Sequence, residues 1–310
     1  MKICVIGAAN VDICGTSRDR PRQFDSNPGT VDISFGGVGR NIAHTLARLG
    51  ADVEFVASFS DDYFGRLLLE DCKKRGLDCN KSKIVSGVSS SIYLAVLDEL
   101  GDMCIGINDM RIIETLTEDD LRHAIEDLTK ADALVLDANF SEDIILYLAK
   151  NARCIKAVDP VSASKAPRLT RSLPYIDIMK PNRIEAHAFN GIEITDEISA
   201  VQSLDWFLEK GVKEIIISLS DMGVLLAAKD YKYWFRHRTP QIANATGAGD
   251  SFLGAYLTRR LSGISPYESI RFAISSSVTT IETDINKREN ISFEIIEKNI
   301  DSMQIHEIRI

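Results

Sequence analysis

The stretch Asn244-Ala-Thr-Gly-Ala-Gly-Asp-Ser-Phe252 puts Gly247, Ala248 and Gly249 in front of an acid, Asp250, where a buried helix reads as starting. A glycine inside a helix costs on the order of 1 kcal/mol relative to alanine. Folding gives no reason for two of them, so the stretch is read for chemistry. Gly-Ala-Gly at a helix N-terminus leaves backbone N–H groups uncovered and pointing along the axis, a cradle for an anion. Without bulky side chains a phosphoryl group can come close to the backbone. Asp250 falls in the first turn, where the helix dipole is expected to keep its carboxylate ionised. A carboxylate beside an anion cradle makes sense if it addresses a hydroxyl arriving to attack a bound phosphate. A plain first-turn aspartate after a hinge would use the same residues.

Working outward, short apolar runs recur at 2–8, 52–58, 132–138, 154–159, 175–180 and 214–220. Near-continuous β-branched runs of that length predict strands buried on both faces. Between them lie helical patterns at 39–50, with Ile42, Leu46 and Leu49 on one face, at 117–130 and at 141–150. Thr117 is the expected N-cap of the second, and acids fill the first turns of the second and third. The fold class is therefore α/β, a mostly parallel central sheet with helices on both faces. Two segments break the alternation. Residues 9–35 carry no helix signal, and 89–107 read as two strands around a Leu-Gly-Asp turn. Together they predict a small antiparallel β lid on a single domain spanning 1–310. After residue 238 the chain is expected to be helical, over 248–262, 265–281 and 292–301.

The 310 residues are 45% hydrophobic and 26% charged, enough for a sizeable core. A net charge of −9 and a pI near 5.2 argue against a general nucleic-acid or membrane-surface binder. Six scattered cysteines, at 4, 14, 72, 79, 104 and 154, show no metal-ligand spacing and read as reduced thiols. With no signal-peptide pattern and no apolar stretch near the roughly 20 residues of a membrane span, the expected compartment is the cytoplasm.

Negative findings narrow the chemistry. No G-x-x-x-x-G-K-[ST] loop occurs, and no G-x-G-x-x-G follows the first strand, so P-loop hydrolysis and nicotinamide chemistry lose ground. A second glycine cluster, Phe35-Gly-Gly-Val-Gly-Arg-Asn41, also opens a helix: Gly36 and Gly37 permit a tight turn, and Asn41 projects from the first turn. Asn10 and Asp12 stand just past the first strand, where ligands gather in open α/β sheets and an acid can hold sugar hydroxyls. Asp137 and Asn139 end another strand on the same rim. Asn182 and Glu185 in MKPNRIEA can orient phosphate and metal-bound water, or simply form a capping box. Ser218, Ser220 and Gly223 in SLSDMGV suit a nucleotide's ribose or phosphates, or a hairpin turn. His44, His123, His187 and His237 have no second ligand at metal spacing and are given no catalytic role.

These motifs resemble the ribokinase-like, PfkB-type sugar kinases, in the expected order and over essentially the whole chain. The resemblance implies a lid closing over the sugar and transfer of the ATP γ-phosphate to a primary hydroxyl. Asp250 would be the base and the backbone of Gly247, Ala248 and Gly249 the anion hole. Asn182 would serve the phosphates, with Ser218, Ser220, Gly223, Gly247 and Gly249 beside the nucleotide, and Glu185 would hold Mg²⁺ through water. Asn10, Asp12, Gly36, Gly37, Asn41 and Asn139 would grip the acceptor. Within the family, DSNPGTVDISFGGVGRN, SIYLAVLDELGDM and VDPVSASKA resemble the pseudouridine kinases. Val38 and Arg40 stand where ribokinases carry Gly-Gly-Lys-Gly-Ala-Asn, which argues against free ribose. Asn244-Ala245 replaces their Asp-Thr, leaving open a monovalent-cation site such as one for K⁺.

The expected activity is thus phosphorylation of the 5′-hydroxyl of pseudouridine, with ribose, inosine or adenosine as alternative acceptors. A non-catalytic nucleoside sensor is the rival of another class, and a doubly wound dehydrogenase a distant third. Ser89, Ser90, Ser91 and the segment 108–110 are placed to read the base by position only. An exposed lid sheet can pair with a second copy of the chain, or its edge can be capped by charge.

Overall fold

The structure, a computed structural model, describes residues 1–127 and 130–310; the side chains of 123, 124, 126, 127 and 285–287, His123 among them, lie outside the described residues. Strand β1 (Lys2–Ile6) shows how the centre is built. Ile3 and Val5 point into one apolar core, and Cys4 and Ile6 point into a second. A strand with no polar face has to be covered twice, so the sheet is the middle layer of three.

The chain continues through β2 (Asn10–Ser17), β3 (Gly29–Gly36), α1 (Val38–Arg48), β4 (Asp52–Val56), β5 (Ser58–Ser60), α2 (Tyr63–Lys74), β6 (Lys83–Val85), β7 (Ile92–Leu97) and β8 (Met103–Asp109). There follow α3 (Glu118–Asp127), β9 (Ala133–Asp137), α4 (Glu142–Asn151), β10 (Ile155–Asp159), β11 (Ile178–Met179), α5 (Arg183–Asn190) and α6 (Glu197–Glu209). The last part holds β12 (Glu214–Ser218), β13 (Val224–Ala228), β14 (Tyr231–Arg236), α7 (Ala248–Leu261), α8 (Pro266–Glu282), α9 (Phe293–Asn299) and β15 (His306–Arg309).

Among the described residues the main sheet has nine strands in the order β15-β14-β13-β12-β11-β10-β9-β1-β4. From β4 to β12 every pairing is parallel, and β13, β14 and β15 are added antiparallel. Helices α1, α2, α7, α8 and α9 cover one face, and α3 to α6 the other. Each apolar run expected to be a strand contains one. The expectation of helix alone beyond residue 238 is corrected by β15, which returns to the sheet edge with all four residues exposed. An edge strand without a buried face carries no apolar pattern to read.

The two segments set apart from the alternation do form a separate sheet, in the order β3-β2-β7-β8. It consists of two antiparallel pairs joined by a parallel pairing of β2 with β7. Register divides its faces. Ile13 lies between Ile33 and Leu94 on one side, and Asp12 between Ser34 and Tyr93 on the other.

One buried carboxylate ties the sheet's rim together. Asp137, at the end of β9, accepts from the backbone N–H of Ala8 at 2.8 Å, of Gly39 at 3.0 Å and of Asn139 at 3.0 Å. It thereby fixes the exit of β1 and the entry to α1 at once. Burial pushes its carboxyl up, and these N–H donors oppose that.

Helix α1 crosses α7 at Gly254, where an added Cβ would lie 2.8 Å from both Cβ and Cγ2 of Thr45. Overpacking at such a contact costs about 1–3 kcal/mol, more than the roughly 1 kcal/mol of helix propensity gained on losing a glycine. Gly254→Val is therefore expected to lower Tm by roughly 5 °C. Thermal unfolding checks this, and an unchanged Tm would mean that the crossing has slack.

Candidate active site

The head of α7 is built as its sequence suggests. Gly247 is the N-cap in the left-handed region, with φ 75° and ψ 4°, and no side chain caps the helix. The Ala248 N–H turns back to the Ala245 carbonyl at 3.3 Å, and the next amides, of Gly249 and Asp250, are left open to an external acceptor. Asp250 lies one position beyond the glycines, 9% exposed, and its Oδ2 accepts from Asn41 Nδ2 at 2.8 Å. That bond joins the two glycine clusters, 209 residues apart in the chain.

The turn separates two cavities. One, of about 430 Å³, is lined by Asp12, Gly36, Asn41, Gly247, Arg40 and Arg288 among others. The other, of about 400 Å³, is lined by Ala248, Gly249, Lys180, Ser218, Ser220 and Gly223. The second also has an apolar wall of Val224, Ile242, Phe252, Ile274, Val278 and Ile281. A polar floor under an apolar slot suits a flat aromatic group carrying phosphates.

On the first side, Asn10 donates to Asp12, whose carboxyl is pushed up to about 6 by burial, against the pull of Asn10 and Arg40. Gly36 lies so close to the Asp12 carboxylate that a side chain there would have to displace it. Gly37, with φ 101°, lies on the backbone of Ala8 and Ala9, the turn that follows β1. Arg40 donates to Asn41 Oδ1 at 3.2 Å and to the Phe35 carbonyl at 3.0 Å, and pairs with Asp71. Asn139, expected among the acceptor-binding residues, lies on the rim, where its Oδ1 takes a 2.5 Å bond from Lys165. The oxygen of its amide is thus taken by that lysine.

On the second side, Asn182 and Glu185 form a reciprocal capping box at the start of α5, with bonds of 2.9 and 2.8 Å. Asn182 also bridges to Ser218 at the end of β12. Glu185 is 5% exposed, and burial with the nearby Asp159 pushes its carboxyl up to about 7. Ser220 (φ 55°) and Gly223 (φ 98°) shape the β12–β13 hairpin turn and line the cavity as well. Ligand loop and hairpin turn were never exclusive readings.

Two charged residues at the centre carry roles that no motif announced. Lys180, 5% exposed, pairs with Asp159 at 3.3 Å, and a Cβ on Gly249 would lie 2.8 Å from its Nζ. Burial alone would lower its affinity for a proton, but the carboxylates of Asp159, Glu185 and Asp250 outweigh that and hold it protonated. A fixed ammonium therefore sits against the open amides. The signal was a lysine directly before Pro181-Asn182 and an aspartate closing the strand at 159.

Asp250 departs from expectation. Burial, reinforced by Asp159 and Asp137, pushes its carboxyl up to about 7, although Asn41 and Lys180 oppose this. The first-turn dipole does not keep it at an ordinary carboxylate value, because desolvation in a buried acidic cluster is the larger effect.

Among the described residues no group of three or more His, Cys, Asp and Glu could hold a metal by itself, and no helix is long and apolar enough to cross a membrane. A hard divalent ion commonly needs only one or two protein carboxylates when substrate phosphates supply the rest. Glu185 beside the Lys180 cavity fits that division.

Comparison with known proteins agrees with the geometry. The model of the pfkB family carbohydrate kinases matches residues 1–284. Pseudouridine kinase of Escherichia coli K12 is 32% identical over 292 residues, covering 94% of this chain and 93% of that protein. Guanosine-inosine kinase of Exiguobacterium acetylicum is 27% identical, covering 92% and 96%. The ribokinase structure from Thermotoga maritima superposes with a TM-score of 0.84 at 25% identity, covering 96% and 99%.

The raised carboxyl of Asp250 makes a stability prediction. Below pH 3.8 the group is protonated in both folded and unfolded chains and costs nothing. As pH rises from there to about 7, the unfolded chain ionises it freely while the fold resists, so stability is lost across that window. Asp250→Asn removes the penalty, on the order of 2–4 kcal/mol at full ionisation. The variant should melt above the parent at pH 8 and level with it near pH 4. Equal melting at pH 8 would show that the site holds the charge without strain.

Proposed function

The chain belongs to the pfkB family of carbohydrate kinases, and we propose that it transfers the γ-phosphate of ATP to the 5′-hydroxyl of pseudouridine. The observation that carries this is the amide turn at 247–250, which stands between two cavities with a buried base on it. A phosphotransferase acting on a hydroxyl group needs that partition: donor on one side, acceptor on the other, and a site for the migrating group in the wall.

In this reading the nucleotide takes the cavity with the apolar slot, its phosphates running over Ser218, Ser220, Gly223 and Asn182 toward Gly247 and Gly249. Phosphoryl transfer goes through a loose transition state with charge spread over the equatorial oxygens, so positioning and electrostatics supply most of the rate. The open amides and Lys180 meet that charge. Mg²⁺, carried on the phosphates and held through water by Glu185, would neutralise further charge between donor and acceptor.

The acceptor lies between Asp12, Gly36, Gly37 and Asn41, with Asn10 orienting Asp12. Asp250 aligns the hydroxyl and takes its proton. A base with a value near the working pH transfers protons more effectively than an ordinary carboxylate. The small sheet acts as a lid that excludes water from competing as acceptor. Asp12, Ser34 and Tyr93 share its acceptor-side face by register, with Asn108 paired to Tyr93. In this reading Tyr93 and Asn108 distinguish one nucleobase from another, whereas Ser90 and Ser91 are buried, with their hydroxyls turned to Asp62 and Met110. The opposite face exposes Val31, Ile33, Leu94, Ile105 and Ile107, which fits a second copy of the chain.

Pseudouridine is preferred over ribose because Arg40 and Val38 occupy the second glycine cluster. Identity to the pseudouridine kinase of E. coli K12 over nearly the full length supports the same choice. An ADP-release assay over pseudouridine, uridine, inosine, adenosine and ribose should give the highest kcat/KM with pseudouridine. Preference for a purine nucleoside or ribose would overturn the substrate but keep the reaction. No ADP release with any acceptor would favour a nucleoside sensor.

Asp250→Asn should lower kcat by about 10²–10⁴-fold, the usual contribution of a positioned base. ATP affinity, measured by calorimetry, should persist. Parental turnover in that variant would remove Asp250 from the mechanism.

A further inference from the structure

The loop before the amide turn is held by a cation that belongs to the chain. Arg288 Nη1 donates to the Thr246 carbonyl at 2.5 Å, and Nη2 donates to the Asn244 carbonyl at 2.5 Å and to Asn244 Oδ1 at 3.4 Å. Its Nε donates to the Thr283 carbonyl at 3.3 Å. The four oxygens are all carbonyls without formal charge, converging from two loops on one planar guanidinium. Arginine more commonly takes a carboxylate in that fork. Carbonyl oxygens gathered in this way are the ligand set of a bare monovalent cation, and the guanidinium already fills it.

The arginine is itself fixed. Its carbonyl accepts from Arg48 Nη1 at 2.7 Å, and the neighbouring Glu289 pairs with Arg75 at 2.8 Å, so the loop is anchored to α1 and α2. Asn244 Oδ1 also accepts from the Thr246 N–H at 2.8 Å, which closes the loop immediately before the left-handed Gly247.

We propose that Arg288 is a positioning residue whose guanidinium takes the place of a monovalent cation beneath the 244–246 loop, so that the phosphotransfer needs no added K⁺. The residues present do not fit a K⁺ site there, and no step is assigned to one. The inference rests on the reading that residues 247–250 receive the phosphoryl group.

The test compares the full-length protein in potassium, sodium and N-methylglucamine chlorides at matched ionic strength, reading kcat, KM for ATP and Tm. The wild type should give the same values in all three. Arg288→Ala should lose about 10–100-fold in kcat/KM for ATP, as small misplacements of a catalytic group do. Millimolar guanidinium should restore part of that loss and raise the variant's Tm, neither of which a general packing defect predicts. Wild-type turnover or Tm that rises selectively with K⁺ would overturn the proposal, as would parental kinetics in Arg288→Ala. Should Arg288→Ala not fold, the wild-type salt series and Arg288→Lys, which keeps the charge without the fork, decide it. Absence of turnover with every acceptor would instead strike at the kinase reading, and the Tm comparison would still judge Arg288.

Discussion

The Lys180 ammonium, buried among Asp159, Glu185 and Asp250, is the interaction on which the site depends. Each carboxylate comes from a different segment: the end of β10, the first turn of α5 and the first turn of α7. Withdrawing three acids from water around a single cation is costly, and burial pushes two of them up to about 7. A buried charge cluster of this kind adds little net stability, and removing its one cation would leave three buried acids without a counter-charge. Its value is positional. The same lysine that compensates the acids presses against Gly249, so the cation and the open amides face one point.

That point is reached only because the glycines leave it uncovered. Gly249 cannot carry a side chain without displacing Lys180, and Gly36 and Gly37 bring their backbone onto Asp12 and the Ala8–Ala9 turn. Two turns separated by most of the chain are thereby brought into register, with the Asn41–Asp250 bond across the gap. The two cavities meet at that junction, and such a partition suits a family that moves a phosphoryl group onto a hydroxyl. In the proposed reading the chemistry is concentrated in the main sheet's rim, and discrimination among acceptors falls to the small sheet.

Legibility followed burial. Parallel strands such as β1 and β9 are covered on both faces, so their sequences are nearly all apolar and announce themselves. The edge strand β15 has no buried face and announced nothing. The glycine clusters were readable because a helix gives no reason for them. Standing on a strand end does not decide which way the Asn139 amide turns, and its oxygen is taken by Lys165.

The sequence by itself determined the layered α/β architecture, the glycine turn before Asp250 and the placing of Asp12 past the first strand and of Asn41 in the second glycine cluster, since each follows from local pattern: periodicity, glycine placement, an acid at a helix start. Tertiary structure alone decided the upward shift of the Asp250 carboxyl, the closeness of Lys180 to the amides and the closure of Arg288 on Asn244 and Thr246. Those depend on desolvation and on charges brought together from distant parts of the chain, and no local window of sequence contains either quantity.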